Sequence, residues 1–185
     1  MALPALDQIL VIDTETGGLD PLVHSLLTVG LVTGLDTDRQ ELTVAEPELV
    51  VTQRSLEITR LDPDRIRATG LTPVATCEAL ETFMERNAPG RDWIVCGHNV
   101  TFDIGFLKRL YRLADRPWPT RLGHRTVDTH ALIWALTAAG KLPPLPGSDA
   151  AFAHFDITPP PELRHTALGD AVATRTLLER LLALI

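Results

Sequence analysis

The sequence predicts an α/β domain, a mixed β-sheet flanked by α-helices. Three features predict it. Short aliphatic and β-branched runs crowd the first half of the chain, strand and helix patterns alternate through the second, and neither an internal repeat nor a linker interrupts them. Strands followed by alternation is the signature of a mixed sheet with helices on both faces. A length of 185 residues suits one domain over residues 1–185 with a hydrophobic core of its own.

Ile9-Leu10-Val11-Ile12 is a continuous apolar run, as expected of a strand buried on both faces. Thr14 to Pro21, with Gly17, Gly18 and Asp20-Pro21, reads as a turn. Leu26 to Val32 and then Glu41 to Thr52 read as two or three further strands, an antiparallel meander beside the first. Asp62-Pro63 has the form of an N-cap with proline at the first helical position. A longer helix starts near Thr76, with Leu80, Phe83 and Met84 inward and Gly90 past its end. Trp93 to Gly97 is the next buried strand, followed by a helix carrying Phe102, Phe106, Leu107, Leu110 and Leu113 at helical spacing. Thr126 to Asp128 forms a short strand leading into a helix over Ala131–Ala139, which Gly140 ends. Residues 141–161 are proline-rich, with one short helix from Ser148. The last helix runs from about Thr166 to the end and buries Ala171, Val172, Leu178, Leu182 and Ile185.

Composition narrows the function classes. The net charge of −7 argues against binding nucleic acid by bulk charge alone. Acidic residues dominate the first half, whereas Lys108, Arg109, Arg112, Arg116, Arg121 and Arg125 are opposed only by Asp115. That segment reads either as a solvated helix face or as a basic rim guiding a phosphate backbone. No stretch is apolar enough to cross a bilayer, so no membrane partner is expected, and the N-terminus lacks the layout of an export signal. Cys77 and Cys96 have no metal-knuckle spacing. A reduced, cytoplasmic location follows as an expectation.

Three segments carry chemistry. Asp13 and Glu15 stand at i and i+2 of a strand end, so their carboxylates share a face. Adjacent acids repel unless a cation lies between them, and a hard divalent ion with oxygen ligands is the natural partner. Asp103, in Gly97-His98-Asn99-Val100-Thr101-Phe102-Asp103, lies where a helix start favours negative charge. His165 and Asp170, in His165-Thr166-Ala167-Leu168-Gly169-Asp170, open the last helix. Taken singly, a solvated strand end and ordinary helix capping explain each of them.

In this order and context, Asp13, Glu15, Asp103, His165 and Asp170 resemble the DEDD exonuclease superfamily, in its histidine subgroup. The chain is similar to the proofreading subunit of bacterial DNA polymerase III and its stand-alone relatives, including ribonuclease T. The motifs are Val11-Ile12-Asp13-Thr14-Glu15-Thr16-Gly17-Gly18-Leu19-Asp20-Pro21, then His98-Asn99-Val100-Thr101-Phe102-Asp103, then His165-Thr166-Ala167-Leu168-Gly169-Asp170-Ala171. Fainter echoes are Ala68-Thr69-Gly70-Leu71-Thr72 and Val127-Asp128-Thr129. The family commonly has two threonines and one glycine after the glutamate, where this chain reads Thr16-Gly17-Gly18, implying altered flexibility without loss of function. The tyrosine subgroup is excluded because the only tyrosine, Tyr111, lies in the wrong segment.

The resemblance implies a ribonuclease H-like fold and 3′–5′ exonuclease activity on single-stranded nucleic acid with a free 3′ end, DNA favoured. It implies two Mg²⁺ or Mn²⁺ ions, with Asp13 bridging both, Glu15 and Asp170 on the first, and Asp103 on the second, partly through water. His165 would act as general base. Thr14, Thr16, Gly17, Gly18, Leu19 and Asn99 would contact the terminal nucleotide, and Phe102 would either pack under a base or belong to the core.

Rival readings are weaker. No G-x-G-x-x-G follows the first strand, and its carboxylates would repel a pyrophosphate, against a dinucleotide fold. His124, Asp128 and His130 suggest a second metal site, although helix capping by Asp128 and Thr129 is the simpler account. The alternatives within reach are a proofreading or interaction subunit with a polymerase or replisome contact, and an exoribonuclease of RNA maturation. The last predicted helix ends with the sequence at Ile185, leaving no tether and favouring a free-standing enzyme.

Overall fold

A computed structural model describes residues 6–159, 163 and 166–185. Five strands form one sheet in the order β3-β2-β1-β4-β5. They are β1 (Ile9–Thr16), β2 (Leu26–Thr33), β3 (Arg39–Thr43), β4 (Ile94–Gly97) and β5 (Thr126–Asp128). The first three are antiparallel neighbours, whereas β4 and β5 run parallel to β1. The meander and the mixed sheet are therefore as expected. The helices are α1 (Gln53–Thr59), α2 (Pro63–Thr69), α3 (Pro73–Asn87), α4 (Val100–Leu113), α5 (Thr129–Ala138), α6 (Ser148–His154) and α7 (Ala167–Leu182).

Alternation along β1 assigns each side chain to one of two layers. Leu10 and Ile12 join Leu80, Phe83, Phe106 and Leu110 in a core against α3 and α4. Ile9 and Val11 face the other way, onto Ala171 and Leu178 of α7. Each fully buried Leu, Ile or Phe contributes roughly 1.5–3 kcal/mol, so β1 is held firmly by a core on each face. A third cluster joins Ile133 and Leu136 of α5 to Ala151 of α6 and to Leu177 and Leu181 of α7.

The caps are those their residue types favour. The Asp62 carboxylate accepts from Asp64 N ahead of Pro63, and Thr72, Asp128 and Thr166 cap α3, α5 and α7 through their side chains. Several boundaries differ from expectation. β1 continues to Thr16, because Glu15 and Thr16 still pair with Thr28 and Leu26; the turn begins at Gly17. β3 ends at Thr43; Val44 N still donates to Leu27 O and Val44 bridges Leu71, but the chain on to Val51 forms no further strand and bends at Pro47 and Glu48. Helix α1 was not anticipated; Thr52 caps it by accepting from Ser55 N. Leu113 and Ile185, expected inside, are 42% and 70% exposed, since Leu113 is the last residue of its helix and α7 stops at Leu182.

Candidate active site

Strand β1 carries Asp13 and Glu15 out to its C-terminal end on the face that α7 covers. Helix α7 brings Asp170 to them from its first turn. One oxygen from each of these three partly buried carboxylates lies within 4.8 Å of the other two. Among the described residues this is the sole group of acids, histidines or cysteines close enough to share an ion.

Three features missed in the sequence bring α7 into place. Gly30 pairs with Asp13 on one side and Glu41 on the other, and a Cβ there would overlap the Ala167 carbonyl. The helix start thus rests directly on the sheet beside Asp13. The Thr166 hydroxyl accepts from Gly169 N at 3.0 Å and donates to the Leu163 carbonyl at 3.0 Å. The Glu41 carboxylate accepts from Leu168 N at 3.0 Å, satisfying another free donor of the first turn. A glycine inside a strand signals close backbone approach, and this sign was readable at Gly30.

Asp103 does not join the three. It is 4% exposed on α4, and it accepts a 2.7 Å hydrogen bond from Thr14 Oγ1, whose side chain projects from the opposite face of β1. Its charge still reaches the cluster. Burial, then Asp103, Asp170 and Glu15 in turn, raise the Asp13 carboxyl well above the ordinary range. Burial first, then Asp170, Glu41 and Asp103, push Glu15 up to about 7. Burial also lifts Asp103 to about 7, against the opposing hydrogen bond from Thr14. Without a cation, then, the site holds protons near neutrality. Hard oxygen donors under mutual repulsion suit a divalent ion.

A cavity of about 240 Å³ opens beside the cluster, walled by Thr14, Thr16, Gly18, Leu19, Ile58 and Phe102. Phe102 is half-buried against the Phe106 ring at 5.0 Å and also reaches the cavity, so it serves both core and wall. Two expected contacts are absent from this cavity. Gly17 is structural: its N–H donates to Ser25 O, its carbonyl accepts from Thr52 N, and a Cβ would overlap the Val50 carbonyl. Asn99 takes a left-handed conformation, φ 62°, at the start of α4, with its N–H on the Asp128 carboxylate. At Gly18 a Cβ would overlap the His24 ring. His165 lies outside the described residues.

The basic segment is mostly framework. Arg109 pairs with buried Glu46 at 2.9 Å, Arg116 with Glu81 at 2.6 Å and Arg121 with Glu85 at 2.5 Å, while Lys108 lies over the Trp118 ring. Arg109 ties α4 to the segment after β3, and Arg116 and Arg121 tie the chain after α4 back to α3. Only Arg112 and Arg125 of the segment's arginines lack an ion pair with a described residue. The second-metal alternative is also unsupported: the Asp128 carboxylate accepts from His130 N at 2.9 Å, capping α5 as the simpler account required.

The family model for RNase_T, described as an exonuclease, matches residues 10–178. The chain belongs to the RNase_T exonuclease family. The nuclease domain of 3′hExo, a DEDDh family member bound to rAMP, superposes with a TM-score of 0.74 at 16% identity, over 98% of this chain and 94% of that one. E. coli exonuclease I with a dT13 oligonucleotide gives 0.72 at 16% identity, over 93% of this chain and 40% of that one. A product-bound exonuclease I gives 0.74 at 14%, over 95% and 45%. The chain thus spans less than half the length of exonuclease I. At these identities the likeness establishes the ribonuclease H-like exonuclease fold. No curated protein matches the sequence.

Proposed function

We propose that the protein removes nucleotides one at a time from the 3′ end of single-stranded nucleic acid, DNA favoured, releasing 5′-mononucleotides. The convergence of Asp13, Glu15 and Asp170 beside a small, partly apolar cavity carries this reading. Asp13, Glu15 and Asp170, with Asp103 nearby, would hold two Mg²⁺ or Mn²⁺ ions. When bound, the ions supply positive charge that acidifies water and offsets charge on the departing 3′-oxygen. Their number and identity belong to the proposal.

The chain's own groups do the rest. Leu19, Ile58 and Phe102 receive the terminal base, and the Thr14 hydroxyl holds Asp103 in place. His165 takes the proton from the attacking water, the role of a general base. Water adds to the terminal phosphorus and the P–O3′ bond breaks, leaving a 5′-mononucleotide and a strand one residue shorter. A linear 5′-labelled strand should shorten stepwise in Mg²⁺ while a circular one resists; rapid cutting of the circle would overturn the reading.

Solved relatives hold either a deoxyoligonucleotide or rAMP, so the exoribonuclease alternative is addressed by parallel time courses on end-matched DNA and RNA. A polymerase or replisome contact is a second reading, which the 73% exposure of Trp134 on α5 supports. Titrating a polymerase against exonuclease rate separates it from a free-standing enzyme. No helix among the described residues is long and apolar enough to cross a membrane. Two buried, free thiols, Cys77 and Cys96, support the cytoplasmic location, and the family match over 10–178 supports one domain over 1–185.

A further inference from the structure

A second cleft, of about 460 Å³, shares Glu15 as a lining residue with the smaller cavity. We infer that this cleft is the subsite for the nucleotide on the 5′ side of the bond to be cut, with Arg60 and Arg65 holding that nucleotide's own 5′-phosphate. The inference rests on the exonuclease reading and extends it by assigning the track that the strand follows.

Its floor is polar and continuous with the carboxylates. Glu15 pairs with Thr28, and Thr28 with Thr43, so the three side chains form one row on one face of the sheet. Thr28 is 4% exposed, and its Oγ1 has no hydrogen-bond partner. Buried hydroxyls are nearly always partnered, which marks this floor as incomplete without a ligand.

Its wall supplies the charge. Arg60 ends α1 and Arg65 lies in α2; both are exposed, and neither makes an ion pair or side-chain hydrogen bond with a described residue. Most arginines of the expected basic rim are, by contrast, paired with acids. Two acids also border the cleft, but each accepts from a backbone N–H: Asp62 from Asp64 and Glu41 from Leu168. Arg60 has a left-handed backbone, φ 57°, where glycine would be the easier residue. A long cation kept at a position that favours glycine points to a use for its side chain.

The two cavities differ as the two sides of a scissile bond should. The smaller is walled for a terminal base by Leu19, Ile58 and Phe102 with Arg54 at its edge, and the larger sets two guanidiniums, Arg60 and Arg65, along one cleft, a group that binds phosphate bidentately. The strand would therefore enter past Arg65 and Arg60 and end at Leu19 and Phe102.

The test compares Arg60→Gly and Arg65→Gln with wild type on two substrates. One is a short 5′-labelled deoxyoligonucleotide, and the other is thymidine 5′-(4-nitrophenyl phosphate), which has no nucleotide on the 5′ side. Each substitution should lower kcat/KM on the oligonucleotide by roughly tenfold and leave the chromogenic ester unchanged. Fluorescence anisotropy in chelator gives a reading independent of turnover. The slope of log Kd against log salt should flatten by about 0.7 for each phosphate that is no longer neutralised. Arg60→Gly should melt no lower than wild type, since glycine suits the left-handed backbone. An unchanged oligonucleotide kcat/KM and salt slope, or an equal fall on both substrates, would overturn the subsite while leaving the exonuclease reading intact. Wild-type inactivity on both substrates would overturn that reading, and the subsite with it.

Discussion

Gly30 stands directly across the β1–β2 ladder from Asp13, and the first turn of α7 lies where a side chain at Gly30 would be. This close approach sets how near Asp170 comes to Asp13 and Glu15. Gly30→Ala should push the helix start off the sheet, at a cost of about 1–3 kcal/mol from overpacking. Exonuclease rate should fall further than stability alone would explain, because small misplacements at a reacting centre are expensive. Thermal melts and single-turnover rates measure the two effects separately. A variant of normal activity would mean that α7 can shift without moving Asp170.

The acid cluster makes the metal-free protein pH-sensitive. Glu15 and Asp103 are held up to about 7 by burial in the folded state, above their unfolded values near 4. Between those limits the folded state binds more protons than the unfolded one, so stability decreases as pH rises. In chelator the melting temperature should fall from pH 5 to pH 8, beyond the trend of the rest of the protein. Millimolar Mg²⁺ or Mn²⁺ should restore it at pH 8 by binding the folded form. Asp13→Asn should melt above wild type in chelator, gain little from metal and be inactive. A wild type indifferent to metal, with a less stable Asp13→Asn, would show the acids to be structural.

His165→Ala should lower the hydrolysis rate by about 10²–10⁴, the usual loss for a general base. The acidic limb of the pH–rate profile should disappear with it. Metal-induced stabilisation should remain near that of wild type, because the acids are untouched. Full activity would remove His165 from the mechanism.

Arg109 provides a control for the basic segment. Its guanidinium meets Glu46, whose side chain is 1% exposed and also accepts from Leu26 N. Arg109→Ala should cost about 3–5 kcal/mol by leaving a buried carboxylate unpaired. The folded fraction should bind single strands as wild type does. If affinity drops while the melting temperature holds, Arg109 is a strand contact and the framework assignment fails.

Local rules made much of the fold readable. An unbroken apolar run identified β1, its period of two put Asp13 and Glu15 on one face, and Asp62-Pro63 marked the start of α2. Helix α1 escaped because seven residues carry little periodicity, and its cap, Thr52 with Ser55, is visible only when sought. Asn99 and Gly17 were expected at the substrate for their place in a motif, and the fold also employs the backbone of both.

What the sequence determined alone was local: which residues lie in strands, which face each side chain takes, where helices begin, and that Asp13, Glu15, Asp103, His165 and Asp170 occur in the order of one exonuclease superfamily. Only the tertiary structure decided which distant groups meet. It set Asp170 against Asp13 and Glu15 through the bare backbone of Gly30, turned Asp103 to Thr14, committed Arg109 to Glu46 and set Arg60 and Arg65 beside Glu15 with no ion pair among the described residues. Periodicity specifies a direction relative to a residue's own backbone. The partner found in that direction depends on the packing of elements far away in the chain, where volume and charge are matched only once the chain has folded.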